Sequence, residues 1–257
     1  MGYRVVIPAR YASTRLPGKP LLDIGGRPMI QCVVERACAG AADEVLVATD
    51  DPRIAAVVHD PRRPDLAIAV MTDPALPSGT DRVAAVAAAR GWSDEDIVVN
   101  VQGDEPFLPH VLIDQVAALL ERDRSAALAT LATPVGSLDE FLDPNVVKVV
   151  CDDAGGALYF SRAPIPWRRD GAPQGLASQR EFAGALRHVG LYAYRVGALH
   201  RITTLPPSSL ERAERLEQLR ALQHGLRIAV GLCSEPPGAG VDTAADLQRA
   251  RERAAQS

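Results

Sequence analysis

Three cations lie close together near the start of the chain, in a loop that follows its first apolar run. Arg10, Arg15 and Lys19 fall within ten residues, with prolines at both ends and small residues between them. In α/β sheets, ligands bind at the carboxyl ends of the strands, which is where this loop would lie. The loop is therefore a candidate for holding a polyphosphate.

Two carboxylates follow later apolar runs. Asp104 comes after residues 97–101, in a turn loosened by Gly103, and Asp242 comes after residues 228–233, with further glycines in its turn. Magnesium takes a few carboxylates and completes its coordination with water and phosphate oxygens. Either side chain could instead bond its own loop, and Asp242 precedes a threonine in what could be an ordinary helix cap.

The basic loop and the two aspartates together form a minimal set for nucleotide chemistry with Mg²⁺. The sequence contains neither a Walker-type phosphate loop nor a dinucleotide fingerprint. Their absence argues against an ordinary ATPase, kinase or dehydrogenase. The site predicted is a nucleotide site of another kind.

A second candidate binding loop lies at residues 78–82. Its hydroxyl groups on Ser78 and Thr80 flank a glycine at the start of a predicted helix, and Arg82 follows. Amides and hydroxyls in this arrangement can bind an anion or a base edge. A plain capped helix is the alternative.

The second half of the chain carries polar and aromatic side chains on predicted strands, among them Arg162, His188 and Tyr192. A predicted helix over residues 210–224 places Glu211, Glu214 and Gln218 on one face. That face is either solvated and paired with neighbouring arginines, or it forms a polar wall for a hydroxylated substrate. In the second case Arg162 and His188 could receive a substrate carboxylate.

Alternation of strands and helices in the first half predicts a parallel, doubly wound sheet. Its predicted strands are residues 3–8, 44–48, 66–71 and 97–101, and its predicted helices begin near residues 29, 50, 80 and 109. Thr49 or Asp50 is the expected cap of the second helix. Strands at 127–134, 146–151, 158–161 and 188–194 have few helices between them and predict a mixed sheet with an antiparallel lobe, which could cover a site or build a dimer interface.

Composition limits the class of protein. The 257 residues suit one α/β domain, with a half at about 1–125 and another at about 126–257. A net charge of −4 argues against general binding to nucleic acid or to an anionic membrane. No apolar run has the length of a membrane span, no signal peptide is evident, and the four cysteines lack zinc-type spacing. These features predict a cytoplasmic protein.

Lysine is rare in this chain. Only Lys19 and Lys148 are lysines among 28 basic residues, and only Asn100 and Asn145 are asparagines. An ammonium is a compact point charge, whereas a guanidinium is a planar fork. Unless the two lysines remain by chance, they mark positions where arginine cannot serve.

These motifs resemble, in order and from one end of the chain to the other, those of the 3-deoxy-manno-octulosonate cytidylyltransferase family. The matching stretches are IPARYASTRLPGKP (7–20), SGT (78–80), VNVQGDEP (99–106), NVVKVV (145–150), LYFSR (158–162), RHVG (187–190) with Tyr192 and Tyr194-Arg195, LEQLR (216–220) and GVDT (240–243). Related CMP-sialate synthetases share the first loop but not the whole set.

The resemblance implies a fold of the nucleotide-diphospho-sugar transferase type: a mostly parallel central sheet flanked by helices, with a smaller antiparallel dimerisation lobe. It implies a homodimer that uses Mg²⁺ to convert CTP and 3-deoxy-D-manno-octulosonate (Kdo) to CMP-Kdo and pyrophosphate. By position, the triphosphate is bound by Arg10, Arg15 and Lys19. The metal ligands are Asp104 and Asp242. Gln102 lies near both the nucleotide and the sugar, and the Kdo pocket is lined by Arg162, His188, Tyr192, Glu214 and Gln218.

The chain departs from the family pattern in two places. Asp81 stands where glutamate is more usual, and the loop at residues 59–65 is longer and richer in arginine and proline. Two rival functions remain open from the sequence. One is a uridylyl- or guanylyltransferase of the same fold, and the other is a catalytically silent, nucleotide-binding regulatory protein.

Overall fold

The computed structural model describes residues 2–12, 16–58 and 67–256. The strands are β1 (Tyr3–Ala9), β2 (Asp23–Ile24), β3 (Arg27–Pro28), β4 (Glu44–Thr49), β5 (Ala67–Met71), β6 (Ile97–Asn100), β7 (Leu128–Pro134), β8 (Lys148–Cys151), β9 (Ala157–Ser161), β10 (Leu186–Arg195) and β11 (Ile228–Leu232). The α-helices are α1 (Met29–Cys38), α2 (Pro52–Val57), α3 (Gly79–Ala89), α4 (His110–Arg122), α5 (Leu138–Leu142), α6 (Val196–Thr204), α7 (Ser209–Glu214), α8 (Gln218–Gln223) and α9 (Ala244–Ala255). Short 3₁₀ turns occupy Lys19–Leu21 and Leu176–Ser178.

A central sheet organises the described residues, in the order β11-β7-β10-β6-β1-β4-β5. Strand β1 pairs in parallel with β4 and β6, β4 pairs in parallel with β5, and β11 pairs in parallel with β7. Strand β10 is inserted antiparallel between β6 and β7, and it also pairs with β8, which pairs with β9. The predicted mostly parallel α/β fold with an antiparallel part is confirmed.

Both faces of the central strands are buried, because helices cover both sides of the sheet. Val5 and Ile7 pack on one side with apolar residues of α1 and α4. Val6, on the opposite face, packs with α3, α6 and α8. This two-sided burial explains why β1 reads as an unbroken apolar run rather than an alternating one.

One predicted helix is wrong. Residues 210–224 do not form a single helix, because Arg215 adopts left-handed backbone angles with φ 53° and separates α7 from α8. Glu211, Glu214 and Gln218 therefore do not share one helical face. Leu216 is buried at this break, so packing there outweighs the helical propensity of the segment.

Several smaller predictions are also corrected. Asp51, rather than Thr49 or Asp50, caps α2 by accepting a hydrogen bond from the Arg53 amide at 2.8 Å. Asp242 does not follow its strand directly, since residues 233–241 separate it from β11. Helices α5 and α6 and the β2–β3 hairpin were not predicted. The arginine-rich loop at 59–65 lies outside the described residues.

Candidate active site

Lys19 joins three distant parts of the chain. Its Nζ lies 2.6 Å from Asp104 Oδ2 and 3.0 Å from Asp242 Oδ1. The lysine side chain is only 12% exposed, whereas Asp242 is about half exposed. One ammonium thus holds the two predicted metal ligands together at the end of the sheet.

Local backbone geometry positions Lys19. Gly18 adopts left-handed angles with φ 66°, which glycine allows without steric cost, and it precedes the 3₁₀ turn that begins at Lys19. The Gly18 amide donates to the Tyr11 carbonyl at 3.2 Å, and the Lys19 amide donates to the Leu16 carbonyl at 3.1 Å. These bonds close the loop back on the end of β1.

The two carboxylates are also placed by their backbones. Gly103 passes so close to β1 that a Cβ there would lie 3.0 Å from the Pro8 carbonyl oxygen. The Val241 amide donates to the Asp104 carbonyl at 2.9 Å, which brings the Asp242 loop against the end of β6. Asp104 and Asp242 therefore face each other although 138 positions separate them in the sequence.

The donor set fits magnesium carried by a polyphosphate. Two carboxylate oxygens that contact one nitrogen are close enough for a single cation to bridge. Among residues 2–12, 16–58 and 67–256, no cluster of three His, Cys, Asp or Glu side chains could hold a metal alone. Mg²⁺ commonly takes one or two protein carboxylates and completes its shell with phosphate and water.

Glu105 adds a third carboxyl group next to this pair and was not singled out from the sequence. Burial raises its pKa to about 7, and the negative charges of Asp104 and Asp242 add to the shift. The group lines the largest cavity of those around the site, beside Asp242. The charge at this end of the sheet is therefore sensitive to pH near neutrality.

A cavity of about 320 Å³ lies against the basic loop. Its wall includes Arg10, Lys19, Gln102, Asp104 and Asp242. The Arg10 guanidinium donates to the Leu76 carbonyl at 2.6 Å, which links the basic loop to the segment before α3. The predicted triphosphate residues Arg10 and Lys19 are thus brought together, and Arg15 lies outside the described residues.

The 78–82 loop is a capped helix start in this structure. The Ser78 hydroxyl accepts from the Asp81 amide, and Asp81 accepts in return from the Ser78 amide. Arg82 is fully buried and bonds Thr72 and, at 3.1 Å, Asp50. Neither Ser78 nor Arg82 lines the 320 Å³ cavity, so nucleotide contacts by these two residues stay predictions.

A second, smaller cavity of about 130 Å³ adjoins the first. Gln102 lines both cavities and so lies between them. The other polar residues in its wall are Thr80, Asn100, Tyr192, Tyr194, Glu217 and Gln218. The Asn100 Oδ1 atom and the Tyr192 hydroxyl are buried there without a hydrogen-bond partner in the described part of the chain. Such buried polar atoms are costly unless a ligand or water satisfies them.

His188 lines the largest of these cavities, about 590 Å³, together with Glu105 and Asp242. Its imidazole packs edge-on against the Phe160 ring, with 5.0 Å between ring centroids. Burial lowers the pKa of His188 to about 3. The ring is therefore neutral at physiological pH.

Arg162 and Glu214 are brought together, but they bond each other rather than line the three cavities above. The Glu214 carboxylate accepts from the Arg162 amide at 3.0 Å and from the Ser161 hydroxyl at 2.6 Å. The Arg162 Nε donates to the Glu214 carbonyl at 2.7 Å, and another guanidinium nitrogen donates to the Pro144 carbonyl at 2.9 Å. Their predicted contacts with a sugar stay predictions.

The other rare lysine has a structural role. Lys148 is fully buried, and its Nζ donates to the carbonyls of Asp143, Val146 and Arg162 at 2.9, 2.5 and 2.8 Å. Three donors on one compact nitrogen suit three converging carbonyls better than a planar guanidinium does. The scarcity of lysine therefore marked two positions with different roles.

Sequence reasoning missed several residues of these walls. The scarcity of asparagine was a signal for Asn100, which faces the smaller cavity. Glu217, whose pKa is raised by burial, also lines the smaller cavity. It lies in the stretch LEQLR (216–220) that resembles the family, but it was not predicted as a site residue. Thr130, which contacts His188 but lines none of the three cavities, carried no signal, because its neighbours on adjacent strands lie far away in the sequence.

Cations and paired carboxylates at the carboxyl edge of a mostly parallel sheet, next to a polar cavity, define a nucleotidyltransferase. A family model described as cytidylyltransferase matches residues 4–228. A 3-deoxy-manno-octulosonate cytidylyltransferase of Thioalkalivibrio sulfidiphilus is 55% identical over 249 residues, covering 97% of each chain. One of Methylococcus capsulatus is 52% identical over 97% of this chain and 95% of its own.

Solved structures agree with these matches. A structure of CMP:2-keto-3-deoxy-manno-octonic acid synthetase complexed with CTP aligns with a TM-score of 0.86 and 41% identity, covering 100% of this chain and 99% of its own. A cytidylyltransferase of Leptospira borgpetersenii, at 16% identity and a TM-score of 0.60, shares the fold. The chain belongs to the 3-deoxy-manno-octulosonate cytidylyltransferase family.

Proposed function

We propose that the chain transfers a cytidylyl group from CTP to Kdo, giving CMP-Kdo and pyrophosphate for lipopolysaccharide synthesis. The observation that carries this proposal is the contact of Lys19 with Asp104 and Asp242, in a cavity that shares Gln102 with a second, polar cavity. The first cavity suits a triphosphate and the second suits hydroxyl groups. Family membership supports the choice of cytidine and of Kdo.

The reaction is an in-line displacement at phosphorus. The anomeric hydroxyl oxygen of Kdo forms a bond to the α-phosphorus as the bond from that phosphorus to the bridging oxygen breaks. Pyrophosphate leaves with the electron pair, and the hydroxyl proton is lost to water. Little covalent chemistry falls to the protein, so positioning and charge neutralisation carry the rate.

Lys19 and Arg10 supply positive charge where negative charge accumulates on the departing pyrophosphate. Asp104 and Asp242 would hold Mg²⁺, which when bound neutralises phosphate charge and acidifies a hydroxyl group that it contacts. Lys19 contacts both carboxylates, offsets one of their two negative charges and so reduces their mutual repulsion. The pair is thereby held in place before substrate arrives.

Kdo is a polyhydroxylated acid, and the residues around the smaller cavity match its hydroxyl groups. Gln102, Tyr192 and Gln218 offer neutral donors and acceptors there. Neutral hydrogen-bonding groups orient hydroxyls without attracting phosphate into the same space. Arg162 is the proposed partner of the sugar carboxylate.

A homodimer in the cytoplasm completes the proposal, and it is supported by the family resemblance. Of the exposed large apolar side chains in the described residues, Leu158 lies on β9, and Trp167 and Leu176 lie in the connection between β9 and β10. Exposed apolar residues grouped on one part of a protein are typical of interfaces. The part of the chain that the structure describes contains no helix long and apolar enough to cross a membrane.

Pyrophosphate release with each of CTP, UTP, GTP and ATP, in the presence of Kdo and Mg²⁺, tests the proposal. We expect turnover with CTP at least about a hundredfold above the other nucleotides. Preference for UTP or GTP would support the rival transferases. Binding of CTP without turnover of Kdo, or of its 8-amino analogue, would support a regulatory protein.

A further inference from the structure

Thr130 lies in the middle of β7 and contacts three groups of β10. The residue is fully buried, and its Oγ1 lies 3.0 Å from the Val189 carbonyl, 2.8 Å from the Leu191 carbonyl and 3.0 Å from His188 Nε2. The pairing register of β7 with β10 shifts between Val189 and Tyr192. The hydroxyl thus fills a gap in the backbone ladder and touches the imidazole at the same time.

The direction of these hydrogen bonds follows from the number of protons that the Thr130 hydroxyl can donate. Carbonyl oxygens only accept, and a threonine hydroxyl has a single proton to donate. The Thr130 hydroxyl donates that proton to the carbonyls of Val189 and Leu191, so its oxygen must accept a hydrogen bond from His188 Nε2. A neutral imidazole that donates from Nε2 carries no proton on Nδ1.

The other nitrogen is available to a ligand. Within the described residues, Nδ1 of His188 makes no hydrogen bond. The residue lines the 590 Å³ cavity, and the centroid of its ring lies 5.2 Å from that of Tyr192, which lines the smaller cavity. An unprotonated nitrogen accepts a hydrogen bond from a hydroxyl group, but it cannot donate one to a carboxylate. This separates His188 from the carboxylate role that the sequence suggested for it beside Arg162.

We propose that Thr130 is a positioning residue that holds His188 in its Nε2–H tautomer, so that Nδ1 accepts a hydrogen bond from a hydroxyl group of the sugar. The identity of the sugar rests on the proposed function; the tautomer does not. Burial of the ring, which keeps it uncharged, supports the assignment. Thr130 acts through His188 and does not contact the reacting atoms.

Nitrogen-15 spectra of the histidine rings in the substrate-free protein test the tautomer directly. His188→Gln identifies the resonances of His188 among the five histidines. We expect a protonated Nε2 and an unprotonated Nδ1, unchanged from pH 6 to pH 8. A protonated Nδ1, or an imidazolium, would overturn the proposal.

Two substitutions separate positioning from folding. Thr130→Val is nearly isosteric but cannot accept from Nε2, and we expect a mixture of tautomers together with a rise of about tenfold in KM for Kdo. kcat and KM for CTP should change less than about twofold, because Thr130 does not line the cavity of Arg10 and Lys19. Thr130→Ser should restore the single tautomer and the low KM.

Thr133→Val is the matched control, since it lies on the same strand with its side chain on the other face. It should leave the spectrum and the KM for Kdo unchanged. An unaltered tautomer in Thr130→Val, or a failure of Thr130→Ser to restore it while the protein remains folded by circular dichroism, would overturn the proposal. If Kdo is not turned over at all, the proposed function fails, whereas the spectra still decide the role of Thr130.

Discussion

The charged end of the sheet and the polar face beside it are built differently. At the charged end, Lys19, Asp104 and Asp242 come from loops and are partly exposed. On the polar face, Thr130, Tyr192 and Asn100 lie opposite one another on adjacent strands and are buried. At the charged end, loops bring charges together. On the polar face, adjacent strands hold neutral groups in a row.

This difference matches what each region would have to do. Charge on a phosphate changes during transfer, and charges from separate loops that are already held where that charge develops suit that task. A sugar is recognised by the directions of its hydroxyl groups, which requires donors and acceptors held rigidly in strands. Variants of the charged end should therefore alter turnover, and variants of the polar face should alter sugar binding.

The largest effect should come from Asp104→Asn. Loss of one carboxylate charge weakens both the cation site and the contact with Lys19, so we expect turnover to fall about a thousandfold or more. Pyrophosphate release at saturating Mg²⁺ measures it, and thermal melting checks the fold. Asp153→Asn, on an exposed turn, is the control. Near-normal turnover in Asp104→Asn would break the assignment of the charged end.

Lys19→Arg should reduce turnover about 10- to 100-fold although the charge is kept. A guanidinium is larger than the ammonium that lies within 3.0 Å of both carboxylates in a nearly closed space. kcat and KM for CTP, measured on the folded variant, provide the check. Full activity would show that charge alone matters here and that the scarcity of lysine carried no information.

Lys148→Met tests the structural support of the polar face, because this lysine holds backbone carbonyls together next to the sugar cavities. Removing three hydrogen bonds to partly buried carbonyls should lower the free energy of unfolding by about 2–4 kcal/mol. Urea denaturation measures the change, with the exposed Arg124→Met as control. Unchanged stability alongside lost turnover would instead assign Lys148 to the chemistry.

Glu105→Gln should change stability rather than turnover most clearly, and its effect depends on pH. Folding raises the pKa of Glu105 from 4.5 to about 7. The folded state therefore binds more protons than the unfolded state between these values, and stability falls as the pH rises through them. In protein without divalent cations, Glu105→Gln should unfold at a higher temperature at pH 8 and show little change at pH 4.5, with a gain of about 1–3 kcal/mol. Glu235→Gln, an exposed control, should show no such trend; the same trend in both would point to general charge repulsion.

Sequence reasoning served the charged end better than the polar face. The parallel sheet follows from unbroken apolar runs, and the charged residues stand out because Lys19 is rare and Asp104 follows a strand. On the polar face, Gln102, Tyr192 and Gln218 were expected near the sugar only from the family resemblance. Thr130 was missed, since Thr130, Tyr192 and Asn100 become neighbours only through strand order and register. The break at Arg215 was missed for a similar reason, because packing of Leu216 rather than local propensity ends α7.

The separation of the two regions can be tested most directly with Tyr192→Phe. The Tyr192 hydroxyl is buried without a partner among the described residues, so its removal should leave stability unchanged or raise it by up to about 1 kcal/mol. If that hydroxyl serves the sugar, KM for Kdo should rise about tenfold, while KM for CTP stays within about twofold of the wild type. An unchanged KM for Kdo, or an equal rise in both KM values, would contradict the division between a charged end for the nucleotide and a polar face for the sugar.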